Sequence, residues 1–179
     1  MNRQYDPQRH HRHSIRLRGY DYTWPGAYFV TICTHQRENL FADPRFLRIA
    51  ERAWRAIPDH PHAGRVSLDA WVVMPNHVHG LLILQSCDGQ PGPSEAPIGA
   101  PAGSLGAIVG NYKSVVARRI NDLRRTPGAP VWQRNYYERV VRDDRQLVAF
   151  RRYITENPAR WAADAEDLEE FLAGMPPPR

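Results

Sequence analysis

The chain has 179 residues, of which 42% are hydrophobic, so it can bury a core of its own and fits a single globular domain. Its two cysteines, Cys33 and Cys87, are too few for a disulfide scaffold and are not spaced as a zinc pair, which favours a reducing cytoplasm. Because the chain has no long apolar run and its basic N-terminus lacks an apolar stretch, we expect neither a membrane span nor a signal peptide.

The net charge is +5, and the positive charge is localised. Residues 104–160 hold twelve Lys and Arg against five acids, whereas residues 161–179 hold one Arg against five acids. Arginine presents a planar fork that matches phosphate oxygens, so this density favours a polyanionic partner, with nucleic acid as the leading candidate. A solvated basic face is the alternative that charge alone leaves open.

The first half of the chain predicts a strand, a helix and a hairpin. Residues 27–35 are rich in β-branched and aromatic side chains, which predicts the first strand. Asp43-Pro44 then marks a helix start, because aspartate caps helices and proline suits the first helical position. A second strand over 66–74 is joined to a third by the two-residue break Pro75-Asn76, which indicates an antiparallel hairpin.

The second half predicts a helix, a strand and another helix. Ser104 suits the N-cap of a helix that ends at residues 126–128. An aromatic and basic loop within 131–142 leads into a short fourth strand. The last core helix runs from Arg145 to about residue 156 and ends at Asn157-Pro158, because the residue before a proline resists helical geometry.

The resulting order, β-α-β-β-α-β-α, predicts an α+β fold. Its first six elements match the ferredoxin-like βαββαβ pattern, an antiparallel sheet with two helices on one face, and a further C-terminal helix follows. We expect a single domain over 27–161, with a Pro/Gly-rich insertion at 86–103. A basic arm over 1–26 precedes it and an acidic tail over 162–179 follows, in which residues 164–172 suit a short amphipathic helix.

Two histidines open the third strand. Since His77 and His79 are two residues apart, their side chains project from one face of the strand, about 6–7 Å apart along the chain. This spacing suits two ligands on one metal ion. It also suits two buried imidazoles that are only hydrogen-bonded, and the pair by itself favours that simpler interpretation.

Tyr153 and Asn157 are four residues apart and therefore share one face of the last helix. Plotted with Leu147, Phe150 and Ile154, both lie at the edge of the apolar stripe, where a side chain faces the sheet yet stays reachable. A tyrosine that only packs its ring, and an asparagine that only caps the helix, are the alternatives.

Three linked motifs carry a resemblance to a known family. They are WVVMPNHVH at 71–79, VWQRNYY at 131–137 and YITENP at 153–158. In this order and at these intervals they resemble the REP-associated tyrosine transposases, which belong to the single-tyrosine HUH superfamily. The similarity runs from about Gly26 to Trp161, or about three quarters of the chain.

The resemblance implies a ferredoxin-like domain that cuts and rejoins single-stranded DNA next to a hairpin through a 5′-phosphotyrosine intermediate. By the same resemblance, His77 and His79 match the metal-binding pair, Tyr153 the nucleophile and Asn157 the third metal ligand, with Mg²⁺ or Mn²⁺ as cofactor. The partner would be single-stranded DNA with hairpins like repetitive extragenic palindromes, and a monomer is favoured over a dimer.

The chemistry is consistent with these roles. A divalent ion neutralises the charge of a phosphodiester, and a tyrosine with a pKa near 10 needs nearby positive charge to attack as phenolate. Two other functions stay open, namely a domesticated DNA-binding protein that has lost cleavage and a metal-dependent phosphodiesterase that uses water.

A basic and aromatic surface is predicted to contact DNA. Tyr136 and Tyr137 suit stacking on unpaired bases, although a packing role fits them equally well. Each arginine alone can equally be a solvated charge. The other predicted contacts are Arg118, Arg124, Arg125, Trp132, Gln133, Arg134, Arg139, Arg142, Arg151 and Arg152.

Overall fold

A computed structural model describes residues 22–61, 63–85, 102–162 and 174. Most of the predicted basic arm, insertion and acidic tail lie outside these residues, as does the helix expected at 164–172. The strands are β1 (Gly26–Cys33), β2 (Val66–Met74), β3 (His77–Leu84) and β4 (Tyr137–Val141), and the helices are α1 (Pro44–Arg55), α2 (Leu105–Arg124) and α3 (Asp144–Ala162). None of these three helices is long and apolar enough to cross a membrane.

The four strands form one antiparallel sheet in the order β2-β3-β1-β4. Together with the element order, this confirms the predicted ferredoxin-like α+β fold. The two-residue turn Pro75-Asn76 joins β2 to β3 as the sequence predicts. Between Leu68 and Trp71, however, β2 contains one residue more than its partner β3, which makes a β-bulge.

The sheet carries a different core on each face, because successive strand residues point to opposite sides. On one face, α1 and α2 cover a large core that includes Tyr28, Trp54 and Tyr112. On the other face, α3 covers a smaller core. The buried members of this smaller core are Phe29, Leu81, Phe150, Tyr153 and Ile154.

The starts of α1 and α2 are those that the sequence predicts. The carboxylate of Asp43 accepts a hydrogen bond of 2.8 Å from the backbone N–H of Arg45, and the hydroxyl of Ser104 accepts one of 3.2 Å from the backbone N–H of Ala107. Each bond satisfies an amide that has no partner inside its own helix.

The predicted end of α3 is wrong. The sequence predicts a stop at Asn157-Pro158, but the helix continues to Ala162 with the proline inside it. An internal proline costs about 3 kcal/mol, mainly because it cannot donate to the carbonyl four residues before it. The helix continues because its last turns are packed on the sheet. Asn157 is fully buried, and the ring centroid of Trp161 lies 5.9 Å from that of His77.

Candidate metal and tyrosine site

His77 and His79 are buried on the sheet face that α3 covers. In the register of β1 and β3, His79 lies opposite Thr31 and His77 lies opposite Cys33, so the two imidazoles share one face as predicted. Their Nε2 atoms are 2.9 Å apart. The two rings therefore converge on a single point rather than packing independently into the core.

The second nitrogen of each imidazole is held by a polar side chain. Asn76 Oδ1 lies 2.7 Å from His77 Nδ1, and Thr31 Oγ1 lies 2.8 Å from His79 Nδ1. An amide oxygen can only accept, so His77 donates from Nδ1, and in a neutral ring its Nε2 is then an acceptor. His79 then donates from Nε2 to His77 Nε2, and its Nδ1 accepts from the hydroxyl of Thr31. This chain of hydrogen bonds is one that two neutral imidazoles, the form that binds a metal, can make.

The turn that carries Asn76 is itself fixed by the end of β1. The backbone carbonyl of Asn76 accepts from both the N–H and the hydroxyl of Thr34, each at 2.9 Å. The carbonyl of Pro75 accepts from the N–H of Phe41, also at 2.9 Å. Asn76, whose side chain contacts His77, therefore belongs to a turn that three hydrogen bonds hold to the neighbouring segments.

Three residues of α3 at four-residue intervals face the histidines. The ring of Tyr153 lies 5.2 Å from that of His79, and Trp161 stacks near His77 at the other end. Asn157 lies between them, one helical turn from each. The structure thus places the ring of Tyr153 beside His79, and the helical period puts Asn157 on the same face of α3.

The amide of Asn157 is an orphaned polar group. It is fully buried, and neither its Oδ1 nor its Nδ2 has a hydrogen-bond partner among the described residues. A buried amide without partners costs free energy, so such a group in a folded protein calls for an explanation. The described residues also contain no cluster of three His, Cys, Asp or Glu that could hold a metal. A third protein ligand beside the histidines would therefore come from another residue type, and the amide oxygen of Asn157 is available for it.

The expectation that Tyr153 is reachable is wrong. Only 1% of this residue is exposed, and its ring packs edge-on against Phe29 with centroids 6.1 Å apart. Phe150 stacks on Phe29 at 4.3 Å and holds α3 close to the sheet. These contacts join α3 to β1, which is distant in the sequence. The helical period of α3 alone therefore could not predict that Tyr153 is buried. The guanidinium of Arg160 lies 5.9 Å from the centroid of the Tyr153 ring and places a positive charge beside it.

The prediction that Trp132 contacts DNA is also wrong. Its ring is buried against Phe41 and Tyr112, with centroids 5.4 and 5.8 Å away, and its Nε1 donates to the carbonyl of Lys113 at 3.0 Å. A ring held in this way cannot stack on a base. Trp132 instead anchors the loop that precedes β4.

Lys113 also holds the loop that precedes β4, and the sequence does not predict this role. Its Nζ donates to the carbonyls of Gln133 and Arg134 at 2.7 and 3.0 Å. Burial lowers the pKa of this amine from its ordinary value. Its position off the apolar stripe of α2 suggests only a surface charge, so no local signal identifies this role.

The other predicted DNA contacts differ in exposure. Tyr137 and Arg139 lie opposite Thr31 and Phe29 in the register of β4 and β1, so both point to the histidine face. Arg151 and Arg152 are exposed but form ion pairs with Asp69 and Glu156. Exposed residues are Arg118, Arg125, Arg134, Arg142, Arg151 and Arg152, and half-buried residues are Arg124, Gln133, Tyr136, Tyr137 and Arg139.

Solved structures identify the class of fold. The chain is similar to a REP-associated tyrosine transposase bound to a REP hairpin, with a TM-score of 0.58 and 18% identity over 82% of this chain and 73% of the other. The chain therefore shares the fold of these transposases, which confirms the resemblance of the three motifs at the level of the fold. A candidate transposase of Deinococcus radiodurans aligns with a TM-score of only 0.43 at 18% identity.

Sequence comparison identifies the family. A protein of Haemophilus influenzae, described as uncharacterized, is 32% identical over 182 residues that cover 92% of this chain and 97% of that protein. The chain belongs to the same family as this Haemophilus influenzae protein. No protein-family model matches the chain.

Proposed function

We propose that the protein is a DNA strand transferase that cleaves and rejoins hairpin-flanked single-stranded DNA and forms a phosphotyrosine bond on Tyr153. The observation that carries this proposal is the convergence of two buried imidazoles, a tyrosine and an unpaired amide on one face of the sheet. The shared fold supports it, because the transposase of that fold was solved with a REP hairpin bound. The proposed partner is therefore hairpin DNA, acted on by a monomer.

The residues present fit a hard divalent ion such as Mg²⁺ or Mn²⁺. The Nε2 atoms of His77 and His79 are 2.9 Å apart, so both imidazoles would be able to bind one ion. The orphaned amide of Asn157 adds an oxygen donor of the kind that these ions prefer.

His77, His79 and Asn157 would hold this ion, and it would neutralise charge on the phosphate oxygens. Binding would require His79 to carry its proton on Nδ1 instead of Nε2. The hydroxyl of Thr31 can follow this change, because a hydroxyl that donates to Nδ1 in one tautomer accepts from it in the other. Thr31 and Asn76 would thus select the ligating tautomers.

Tyr153 is the nucleophile in this proposal. Its phenol oxygen loses a proton and forms a bond to phosphorus, and the bond from phosphorus to the 3′ oxygen breaks. The 3′ oxygen takes up a proton and leaves as a 3′-hydroxyl, and the DNA 5′ phosphate stays on the protein. An ordinary phenol is a weak nucleophile at neutral pH, so the positive charge of Arg160 near the ring would assist the attack. The phosphotyrosine bond retains the energy of the phosphodiester, so a 3′-hydroxyl strand can reverse the reaction and be joined.

A denaturing gel tests the proposal. Wild-type protein is incubated with a single-stranded oligonucleotide that contains a hairpin, in the presence of Mn²⁺, Mg²⁺ or EDTA. We expect a covalent protein–DNA band with either metal and none with EDTA. Absence of the band under every metal condition would refute the transferase function.

The burial of Tyr153 favours one alternative, a DNA-binding protein that no longer cleaves. Such a protein would bind the hairpin with strong salt dependence but would not respond to His77→Ala. Fluorescence polarisation of a labelled hairpin, measured beside the gel, separates the two functions. Binding without an adduct supports the alternative, and an adduct excludes it.

The variant Thr31→Val should lose affinity for Mn²⁺ by about 10- to 100-fold, because it removes the hydroxyl that orients His79. Valine has nearly the same shape as threonine, so the buried position stays filled. Isothermal titration calorimetry with Mn²⁺ measures the change. The control is Thr155→Val on α3, whose hydroxyl bonds only to the backbone of Arg151 at 2.9 Å. Equal affinity in Thr31→Val and wild type would show that Thr31 does not act on the metal site.

A further inference from the structure

An ion pair joins α3 to the bulge of β2. Nη2 of Arg151 lies 2.6 Å from Oδ2 of Asp69, and its Nε donates to both carboxylate oxygens at 2.9 and 3.2 Å. The two residues are 82 positions apart in the sequence. Two parallel hydrogen bonds between a guanidinium and a carboxylate fix direction as well as distance.

At the bulge, Asp69 lies beside Ala70 on the side of the sheet that α3 covers. In a regular strand Asp69 and Trp71 would point to the same face. The extra residue leaves Leu68 and Trp71 on the face of the larger core and places Ala70 in the smaller core beside α3. The backbone N–H of Ala70 donates to Oδ1 of Asp69 at 2.6 Å, which holds the carboxylate in place. The carboxylate of Asp69 is thus held by the backbone of the bulge as well as by Arg151.

The apolar contacts of α3 do not specify its position as closely. Its buried apolar side chains are Phe150, Tyr153 and Ile154, and apolar burial has no preferred direction. A helix that slides by one residue moves about 1.5 Å along its axis and turns by about 100°, which would swing the phenol of Tyr153 away from His79. Two other ion pairs of α3, Arg152 with Glu156 and Arg160 with Glu156, stay within the helix.

We propose that Asp69 is a positioning residue that, through Arg151, sets where the hydroxyl of Tyr153 stands relative to the histidine pair. This inference rests on the proposed function for the role of the tyrosine. It also revises the prediction for Arg151, whose guanidinium binds a carboxylate of the protein instead of a DNA phosphate. The hydrogen bonds from Arg151 hold the pKa of Asp69 below its ordinary value, so the carboxylate is ionised at neutral pH.

The test is Asp69→Asn, which keeps an oxygen for the N–H of Ala70 and loses the charge that holds Arg151. We expect unchanged hairpin affinity and a rate of adduct formation at saturating DNA that falls about 10- to 100-fold, because displacement of a reacting group by about 1 Å has effects of this size. Amides of α3 should exchange hydrogen faster than in wild type. The reversed pair, Asp69→Arg with Arg151→Asp, should recover most of the rate, which a general loss of stability would not allow.

Arg45→Ala is the matched control, because Arg45 makes the same paired hydrogen bonds to a carboxylate, that of Asp43, at the start of α1 on the opposite face of the sheet. It should form the adduct at the wild-type rate. A wild-type rate in Asp69→Asn, or an equal loss in Arg45→Ala, overturns the inference. So does a loss in Arg151→Ala that appears only as weaker hairpin binding, since that result identifies a phosphate contact.

Two further arms keep the test decisive. If Asp69→Asn does not fold, Arg151→Lys keeps the charge but loses the paired hydrogen bonds, and we expect it to fold with a rate between those of wild type and Arg151→Ala. If wild type forms no adduct, the proposed function fails by itself. Hydrogen exchange then still decides whether Asp69 fixes α3, and exchange in Asp69→Asn that equals wild type refutes this.

Discussion

We expect Tyr153→Phe to form no covalent adduct with hairpin DNA, while its free energy of unfolding stays within about 1 kcal/mol of wild type. Phenylalanine keeps the ring that packs against Phe29 and His79, so the fold is retained. Only the hydroxyl that would bond to phosphorus is lost. The adduct is measured on denaturing gels with Mn²⁺, and stability is measured by urea denaturation.

The control for this variant is Tyr112→Phe in the larger core. Tyr112 is as deeply buried as Tyr153, and among the described residues its hydroxyl has no hydrogen-bond partner. Tyr112 belongs to the core on the opposite face of the sheet from the histidines, and burial raises the pKa of its hydroxyl far above its ordinary value. We expect wild-type adduct from Tyr112→Phe. If Tyr153→Phe also formed wild-type adduct, the attack would have to be assigned to another residue.

Gly80→Ala is expected to lose about 3 kcal/mol or more of the free energy of unfolding. A Cβ at position 80 would lie 2.1 Å from Cζ2 of Trp54 and 2.7 Å from its Cη2, far inside van der Waals contact. The indole cannot move aside, because it is fully buried and packs against Tyr112 and Trp71 at 5.0 and 6.4 Å. Urea denaturation followed by tryptophan fluorescence measures the loss.

Gly110→Ala supplies the matched control on the exposed side of α2. An added Cβ there meets nothing within 4 Å, and alanine favours a helix over glycine by about 1 kcal/mol. We expect this variant to be as stable as wild type or more so. A wild-type urea midpoint for Gly80→Ala would mean that Trp54 does not pack on β3 as described.

The element order and the shared face of the histidines could be predicted because they depend on local patterns. Val66–Met74 is apolar and β-branched up to a Pro-Asn turn, and the strand has those bounds. The period of two in a strand is enough to bring His77 and His79 together. The roles of Tyr153 and Asn157 have a different origin, since they come from the resemblance of linked motifs to a family.

The features that escaped prediction depend on contacts between distant segments. The period of two places Asp69 and Trp71 on one face, and only pairing with β3 reveals the bulge that separates them. The proline rule stops α3 at residue 157, whereas the packing of Trp161 on His77 carries the helix further. An aromatic residue in a basic loop suggests base stacking, but Trp132 is buried by Phe41 and Tyr112, which lie far away in the sequence.

Pro158 lies inside α3, between Asn157 and the last turn of the helix, and weakens the helix at this position. Because proline has no N–H, the last turn of the helix is fastened to the preceding turn by one backbone hydrogen bond fewer. Tyr153 and Asn157 precede this point, whereas Arg160 and Trp161, which lie over the Tyr153 and His77 rings, follow it. Fraying of one turn would uncover the phenol and leave the anchored half of the helix in place. If Tyr153 is the nucleophile as proposed, its phenol would stay shielded from water until DNA binds and would be exposed by this local opening.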